Sequence, residues 1–201
     1  MEQIARAAAT VFSTRGYDKG TLEEVARRVG ISRAALYNYY PGKRQLLKTI
    51  LASAIRLATD VLIADCEITD PVLRAETAIG HFVDLVARDR DAVSLYYQQT
   101  ETVLRAVGPD IRDLENNYIA RFTDVICDAL AARGRTGFDR ATVGYSVFSM
   151  CIWTYKWLGV QVQRPPEAVG KEIARLIFDS PLTVTAGLTE RIPQGRIPKD
   201  R

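Results

Sequence analysis

The chain of 201 residues holds one histidine, His81, and three cysteines, Cys66, Cys127 and Cys151. A lone imidazole excludes multi-histidine metal sites and leaves at most one base for a Ser-His-Asp arrangement. The cysteines are odd in number, form no Cys-x-x-Cys pair and fall among apolar residues at helical spacing. They are expected as buried thiols, with neither a disulfide framework nor a zinc site. Long hydrophobic runs are also lacking, since none approaches the ~20 residues that span a bilayer. Met1 leads into an acidic, helix-like start instead of a signal peptide, so a cytoplasmic location and no membrane partner are expected. There is no glycine-rich phosphate loop. Gly144-Tyr145-Ser146-Val147-Phe148 opens like a nucleophile elbow but has neither the final glycine nor a preceding strand. His81 shares an apolar face with Ala78, Phe82 and Leu85, which suits a hydrogen-bonded core or pocket wall better than proton transfer. These absences argue against an enzyme, a bound metal and a cofactor.

Strand-period alternation is missing as well, and helical periodicity runs through nearly the whole chain. With 47% apolar residues and a mean hydropathy of −0.07, the chain can bury one substantial core beside a smaller one. An all-α fold is expected. Ile4, Ala7, Ala8, Val11 and Phe12 mark a first amphipathic helix, stopped near Gly16. Thr21 and Glu24 then form a Thr-x-x-Glu capping box ahead of Leu22, Val25, Ala26 and Val29, which recur at i, i+3, i+4 and i+7. Gly30 stands where a helix ends in positive φ, Ile31 and Ser32 supply a contact and the next N-cap, and Pro41-Gly42 closes a second short helix. Along that helix Leu36 and Tyr40 can be buried while Arg33, Ala34, Tyr37 and Asn38 face away. Two short helices on a glycine turn, the second crowded with basic and aromatic residues, form a helix-turn-helix DNA reader. Charge agrees: residues 1–48 carry nine Lys/Arg against four Asp/Glu, whereas residues 49–201 carry eighteen against twenty.

The run Leu36-Tyr37-Asn38-Tyr39-Tyr40-Pro41-Gly42-Lys43-Arg44-Gln45-Leu46, with Gly16-Tyr17, Thr21 ahead of Val25-Ala26, and Gly30-Ile31-Ser32, resembles the N-terminal domain of the TetR family of bacterial transcriptional regulators. Tyr39 stands where that family commonly has His, and Tyr40 where it has Phe. The resemblance implies a homodimer that binds double-stranded operator DNA and responds to a small-molecule effector. In this frame Arg33 and Asn38 lie near base edges, and Ala34 and Ala35 permit close approach. Thr21, Ser32, Tyr37, Tyr39 and Lys43 then complete the DNA surface, Lys43 matching the family's backbone-binding lysine.

Beyond the reader, Lys43 to about Asp65 forms one long helix of roughly 35 Å, and further helices are expected at about 71–89, 91–106, 109–133, 140–159 and 166–180. The expected organisation is a DNA-binding domain at 1–45, a helical effector-binding and dimerisation domain at 46–182, and a tail at 183–201. Aromatic and amphipathic residues crowd three of the helices: Tyr96, Tyr97 and Gln98; Tyr118, Arg121 and Phe122; Tyr145, Phe148, Trp153, Lys156 and Trp157. A bundle of such helices can enclose an apolar cavity with a few polar groups, and these residues are the expected ligand pocket. The run Trp153 to Gly159, followed by Pro165-Pro166-Glu167, loosely resembles the fatty-acid and steroid-catabolism regulators of the family, which often sense acyl-CoA thioesters. Such a ligand would need cations, and Arg105, Arg112, Arg121 and Lys156 are available. The helices at about 140–159 and 166–180 are expected to pair with their two-fold mates as a four-helix interface, Val169, Ile173, Leu176 and Ile177 forming the stripe on the last one.

Overall fold

A computed structural model describes residues 2–99 and 101–179, and the expected tail lies outside them. Among the described residues the chain is helical without a strand. Its elements are α1 (Glu2–Arg15), α2 (Leu22–Val29), α3 (Arg33–Tyr39), α4 (Lys43–Asp65), α5 (Pro71–Arg88), α6 (Arg90–Gln98), α7 (Glu101–Val107), α8 (Pro109–Ala132), α9 (Arg140–Ile152), α10 (Thr154–Trp157) and α11 (Pro166–Phe178). Two expected helices are each divided. The 91–106 segment breaks after Gln98, where Gln99 turns extended and its side-chain amide donates to the Leu95 carbonyl at 2.7 Å. The 140–159 segment breaks at Trp153, where the buried Thr154 hydroxyl donates to the Cys151 carbonyl at 2.7 Å and interrupts the ladder.

Two apolar cores meet end to end. The first gathers Phe12, Val25, Leu36 and Tyr40 from the N-terminal helices with Leu46, Leu47, Ile50 and Leu51 of α4. It continues into the body through Ala92, Leu95, Val107 and Ile111. The second is built from α5, α8, α9 and α11 around Phe82, Phe122, Ile126 and Ile173. α4 runs along both. Polar contacts tie the halves: Ser13 Oγ donates to Asp91 at 3.0 Å, and Lys48 pairs with Asp110 at 2.6 Å. At its far end α4 is held to α5, since the buried Asp65 carboxylate contacts His81 Nδ1 at 2.9 Å. The expected hydrogen bond of His81 is thus made, although its ring is half-exposed. Of the cysteines expected as buried thiols, Cys151 is buried, Cys127 is half-buried and Cys66 is exposed.

α5 and α11 touch through glycines. A Cβ at Gly170 would lie 2.7 Å from the Gly80 Cα, whereas one at Gly80 would meet nothing within 4 Å. Alanine favours a helix interior by about 1 kcal/mol over glycine, but at Gly170 a clash with backbone outweighs that gain. Gly80→Ala is therefore expected to hold or raise the melting temperature, and Gly170→Ala to lower it, as read by calorimetry.

Tyr40 fills the first core at 4% exposure, and its hydroxyl has no hydrogen-bond partner among the described residues. A buried hydroxyl left unpaired is destabilising. Tyr40→Phe is expected to add about 1 kcal/mol, which is a rise of about 2–4 °C in melting temperature for a chain of this size; an unchanged or lower value would contradict this assignment.

Candidate nucleic-acid interface and ligand cavity

The reader is fixed by its caps. The Thr21 hydroxyl accepts from the Glu24 amide at 3.2 Å while the Glu24 carboxylate accepts from the Thr21 amide at 3.1 Å, closing the capping box. Gly30 adopts φ 78°, a conformation costly for any residue with a side chain, and turns the chain into α3. Ser32 Oγ accepts from the Ala35 amide at 3.0 Å. α3 is thereby pinned by Leu36, fully buried, and presents Arg33, Ala34, Tyr37, Asn38 and Tyr39 to solvent, with Ala35 half-buried.

The exposed residues are organised before any partner arrives. Arg33 pairs with Glu23 of α2 at 2.8 Å and lies over the Tyr37 ring at 5.3 Å, with its guanidinium 3.4 Å from the Tyr37 hydroxyl. Lys43 is turned inward. Its ammonium donates to the Asp18 carbonyl at 3.1 Å and sits 4.8 Å from the centre of the Tyr17 ring. Partial burial lowers its pKa, with Asp18 opposing the shift. Lys43 thus clamps the loop between α1 and α2 in this state, and Thr21 and Ser32 hold helix ends.

Where the two cores meet, a cavity of ≈ 90 Å³ opens. α4 supplies one wall through Leu51, Ala54, Ile55 and Ala58; Phe82, Leu85 and Val86 of α5 face it; Tyr96, Tyr97, Tyr118, Phe148 and Ile152 complete the enclosure. Two carboxylates, Asp89 and Glu115, also line it. Glu115 accepts a short hydrogen bond from the Tyr96 hydroxyl. Burial raises the pKa of both carboxyls, opposed at Glu115 by the Tyr96 hydrogen bond and Arg112. The rings form two groups: in one Tyr118 stacks on Phe122 at 5.9 Å and Phe82 on Phe148 at 5.4 Å, and in the other Tyr97 stacks on Tyr155 at 5.9 Å.

Of the expected pocket residues, the fold brings Tyr96, Tyr97, Tyr118 and Phe148 to the cavity. Phe122 lies behind Tyr118 in the second core. Gln98 is exposed and donates to Ser94 Oγ at 2.7 Å, and Arg121 is exposed. Trp153 and Tyr145 are on the surface, Lys156 lies 5.0 Å from the centre of the Tyr155 ring, and Trp157 packs on the second core. None of the four cations suggested for an acyl-CoA lines the cavity. The α4 and α5 walls and both carboxylates were not anticipated. The signal for α4 was present, since Leu51, Ile55 and Ala58 recur at i, i+4 and i+7, but the same spacing reads as plain core. Asp89, at the junction of α5 and α6, looks in sequence like a solvated loop charge.

Val169 and Ile173, expected to face a second copy, are buried against their own chain; Ile177 is half-buried, and Leu176 is 65% exposed. On the other helix expected to pair, α9, and just after it, Tyr145, Met150 and Trp153 are exposed. Among the described residues no helix is long and apolar enough to cross a membrane, and no group of three or more His, Cys, Asp or Glu is placed to hold a metal ion.

A capped helix-turn-helix joined by one helix to a cavity-bearing helical body defines a DNA-binding regulator of two parts. Residues 4–58 match the bacterial regulatory proteins of the tetR family, and residues 69–180 match the tetracyclin repressor-like C-terminal domain. The chain belongs to the TetR family of transcriptional regulators. It is 30% identical over 144 residues to the HTH-type transcriptional regulator HbdR of Aromatoleum sp. (strain CIB), covering 71% of this chain and 61% of that protein. The chain spans about half the length of the curated relatives it matches, 44% of one and 61% of another. The TetR family regulator PfmR from Thermus thermophilus shares the fold with a TM-score of 0.77 at 20% identity, over 88% of this chain and 97% of that one. AibR, solved with isovaleryl coenzyme A and operator DNA, does so with a TM-score of 0.72 at 22% identity, over 88% of this chain and 97% of that one.

Proposed function

We propose that the protein is a homodimeric repressor that leaves a palindromic operator when a small apolar or amphipathic effector fills the body cavity. The observation that carries this reading is the position of α4. Its first half belongs to the core of the DNA reader, and its Leu51, Ala54, Ile55 and Ala58 form a wall of the cavity. A ligand that displaces this wall tilts the helix on which the reader is built, and so changes the spacing of two readers in successive major grooves, about 34–36 Å apart. In the DNA complex α3 enters the major groove with Arg33 and Asn38 at base edges and Ala34 and Ala35 allowing close approach. Thr21, Ser32, Tyr37 and Tyr39 hold phosphates, and Lys43 joins them on leaving the Asp18 carbonyl. The chain works in the cytoplasm, on the nucleoid.

The two-fold contact is formed by the exposed face of α9 with Leu176 of α11. A single recognition helix reads few base pairs, so a dimer is needed for a specific site. Light scattering of the wild type at micromolar concentration is expected to give a dimer, and Tyr145→Asp with Leu176→Asp a monomer that binds operator weakly. A monomeric wild type, or a double variant that stays dimeric, would contradict the interface. Band shifts with DNA flanking the gene test the whole reading: a small molecule should reverse them, and a shift that no cavity ligand reverses would favour a DNA-binding adaptor without an effector.

A further inference from the structure

Resting on the reading of the cavity as the effector site, we infer that it takes a small lipophilic amine, whose protonated nitrogen pairs with the Asp89 carboxylate while its apolar body lies against Phe82, Tyr97 and Phe148. The first ground is the state of Asp89. It lines an otherwise apolar cavity, is half-buried, caps no helix amide, and makes neither a side-chain hydrogen bond nor an ion pair with any described residue. Arg6 and Arg88 favour its charged form from a distance, but their direct ion pairs are with Glu2 at 2.9 Å and Asp84 at 2.7 Å. A half-buried carboxylate facing apolar walls is stabilised by a donor of opposite charge, and the other cavity carboxylate, Glu115, already has the Tyr96 hydroxyl.

The second ground is selectivity. Among the described residues no Lys, Arg or His lines the cavity, so their charged lining is acidic. Acidic lining repels a carboxylate, a thioester phosphate or any other anion, whereas the faces of Phe82, Tyr96, Tyr97 and Phe148 attract a cation beside them. Size is the third ground. An apolar protein cavity of about 150 Å³ holds one benzene, so a space of ≈ 90 Å³ takes at most a single ring, and takes it only as its walls move, with Tyr97 36% exposed at the surface. Burial also pushes the Asp89 carboxyl up, and a bound cation favours its ionised form.

Asp89 also explains how such a ligand would be felt by the reader. The same residue lines the groove between α1 and the body, beside Arg6, Arg88, Arg90, Tyr39 and Tyr40. Neutralising its charge from the cavity side alters the field at the point where α1 meets α6.

The test uses the full chain and three probes of one shape, benzylamine, benzyl alcohol and benzoate, followed by calorimetry and by fluorescence of Trp153, whose ring centre is 6.4 Å from that of Tyr97. Benzylamine is expected to bind at least about ten-fold tighter than benzyl alcohol, and benzoate more weakly than either. Asp89→Asn should abolish the preference for the amine over the alcohol. Equal affinity of amine and alcohol in the wild type, tighter benzoate, or an amine preference that survives Asp89→Asn would overturn the inference. The wild-type series decides even if the variant fails to fold. Alcohol and amine that bind equally, and both release operator, would remove the amine while leaving the cavity as effector site. Failure of all three probes to bind would overturn the amine, and the effect of Ala58→Phe on operator binding tests the effector site separately.

Discussion

Arg33→Ala combined with Tyr37→Ala is expected to lower operator affinity at least about 100-fold, or ~2.7 kcal/mol, with little change in melting temperature. Both side chains are exposed on α3 and bury nothing in the core, so the fold does not depend on them. The loss exceeds that of two isolated contacts. Arg33 is paired with Glu23 and stacked on Tyr37, and its removal leaves the Glu23 carboxylate uncompensated at the DNA surface. Anisotropy titrations with a labelled operator duplex, repeated over a range of salt, separate the roles. The single Arg33→Ala change should relax preference at particular bases, while Tyr37→Ala should weaken all sequences alike. An unchanged affinity in the double variant would show that another surface reads the DNA.

Filling the cavity by mutation should imitate the effector. Ala58→Phe places a ring against the α5 wall from within α4, and the ring can be accommodated only if α4 and α5 move apart. Operator binding is expected to weaken about 10- to 100-fold without any ligand, which corresponds to ~1.4–2.7 kcal/mol of the coupling between cavity and reader. The same variant should no longer bind cavity ligands. Wild-type operator affinity in a folded Ala58→Phe protein would break the link between cavity and reader, and would do so without knowledge of the natural ligand.

The reader was legible in sequence because its signals are local. A capping box, a positive-φ glycine and an N-cap serine act within four residues of themselves, and Thr21, Gly30 and Ser32 do in the structure what their spacing predicts. The all-α class was legible for the same reason. The divided helices were not, because Gln99 and Thr154 interrupt their ladders with side-chain hydrogen bonds that any helix could carry on its surface. The cavity was half legible. Tyr96, Tyr97, Tyr118 and Phe148 announce themselves as aromatics, but an apolar stripe does not say which neighbour covers it, and α4 serves two cores with one stripe. Val169 and Ile173 illustrate the same ambiguity: their stripe needs burial, and the glycine contact between α5 and α11 supplies it within the chain. Asp89 required the three-dimensional arrangement, since only that shows a carboxylate facing apolar walls.

Sequence-specific DNA binding by a dimer is the property on which the proposed function most depends. Selection of duplexes from a random pool by the full chain, followed by anisotropy on the winning sequence, measures this in one experiment. The account predicts a palindromic winner bound by two protomers, with half-sites about one helical turn apart or a multiple of it, and affinity that falls steeply with salt. A pool that returns no shared sequence, or a winner bound as tightly by the Arg33→Ala, Tyr37→Ala variant, would contradict it.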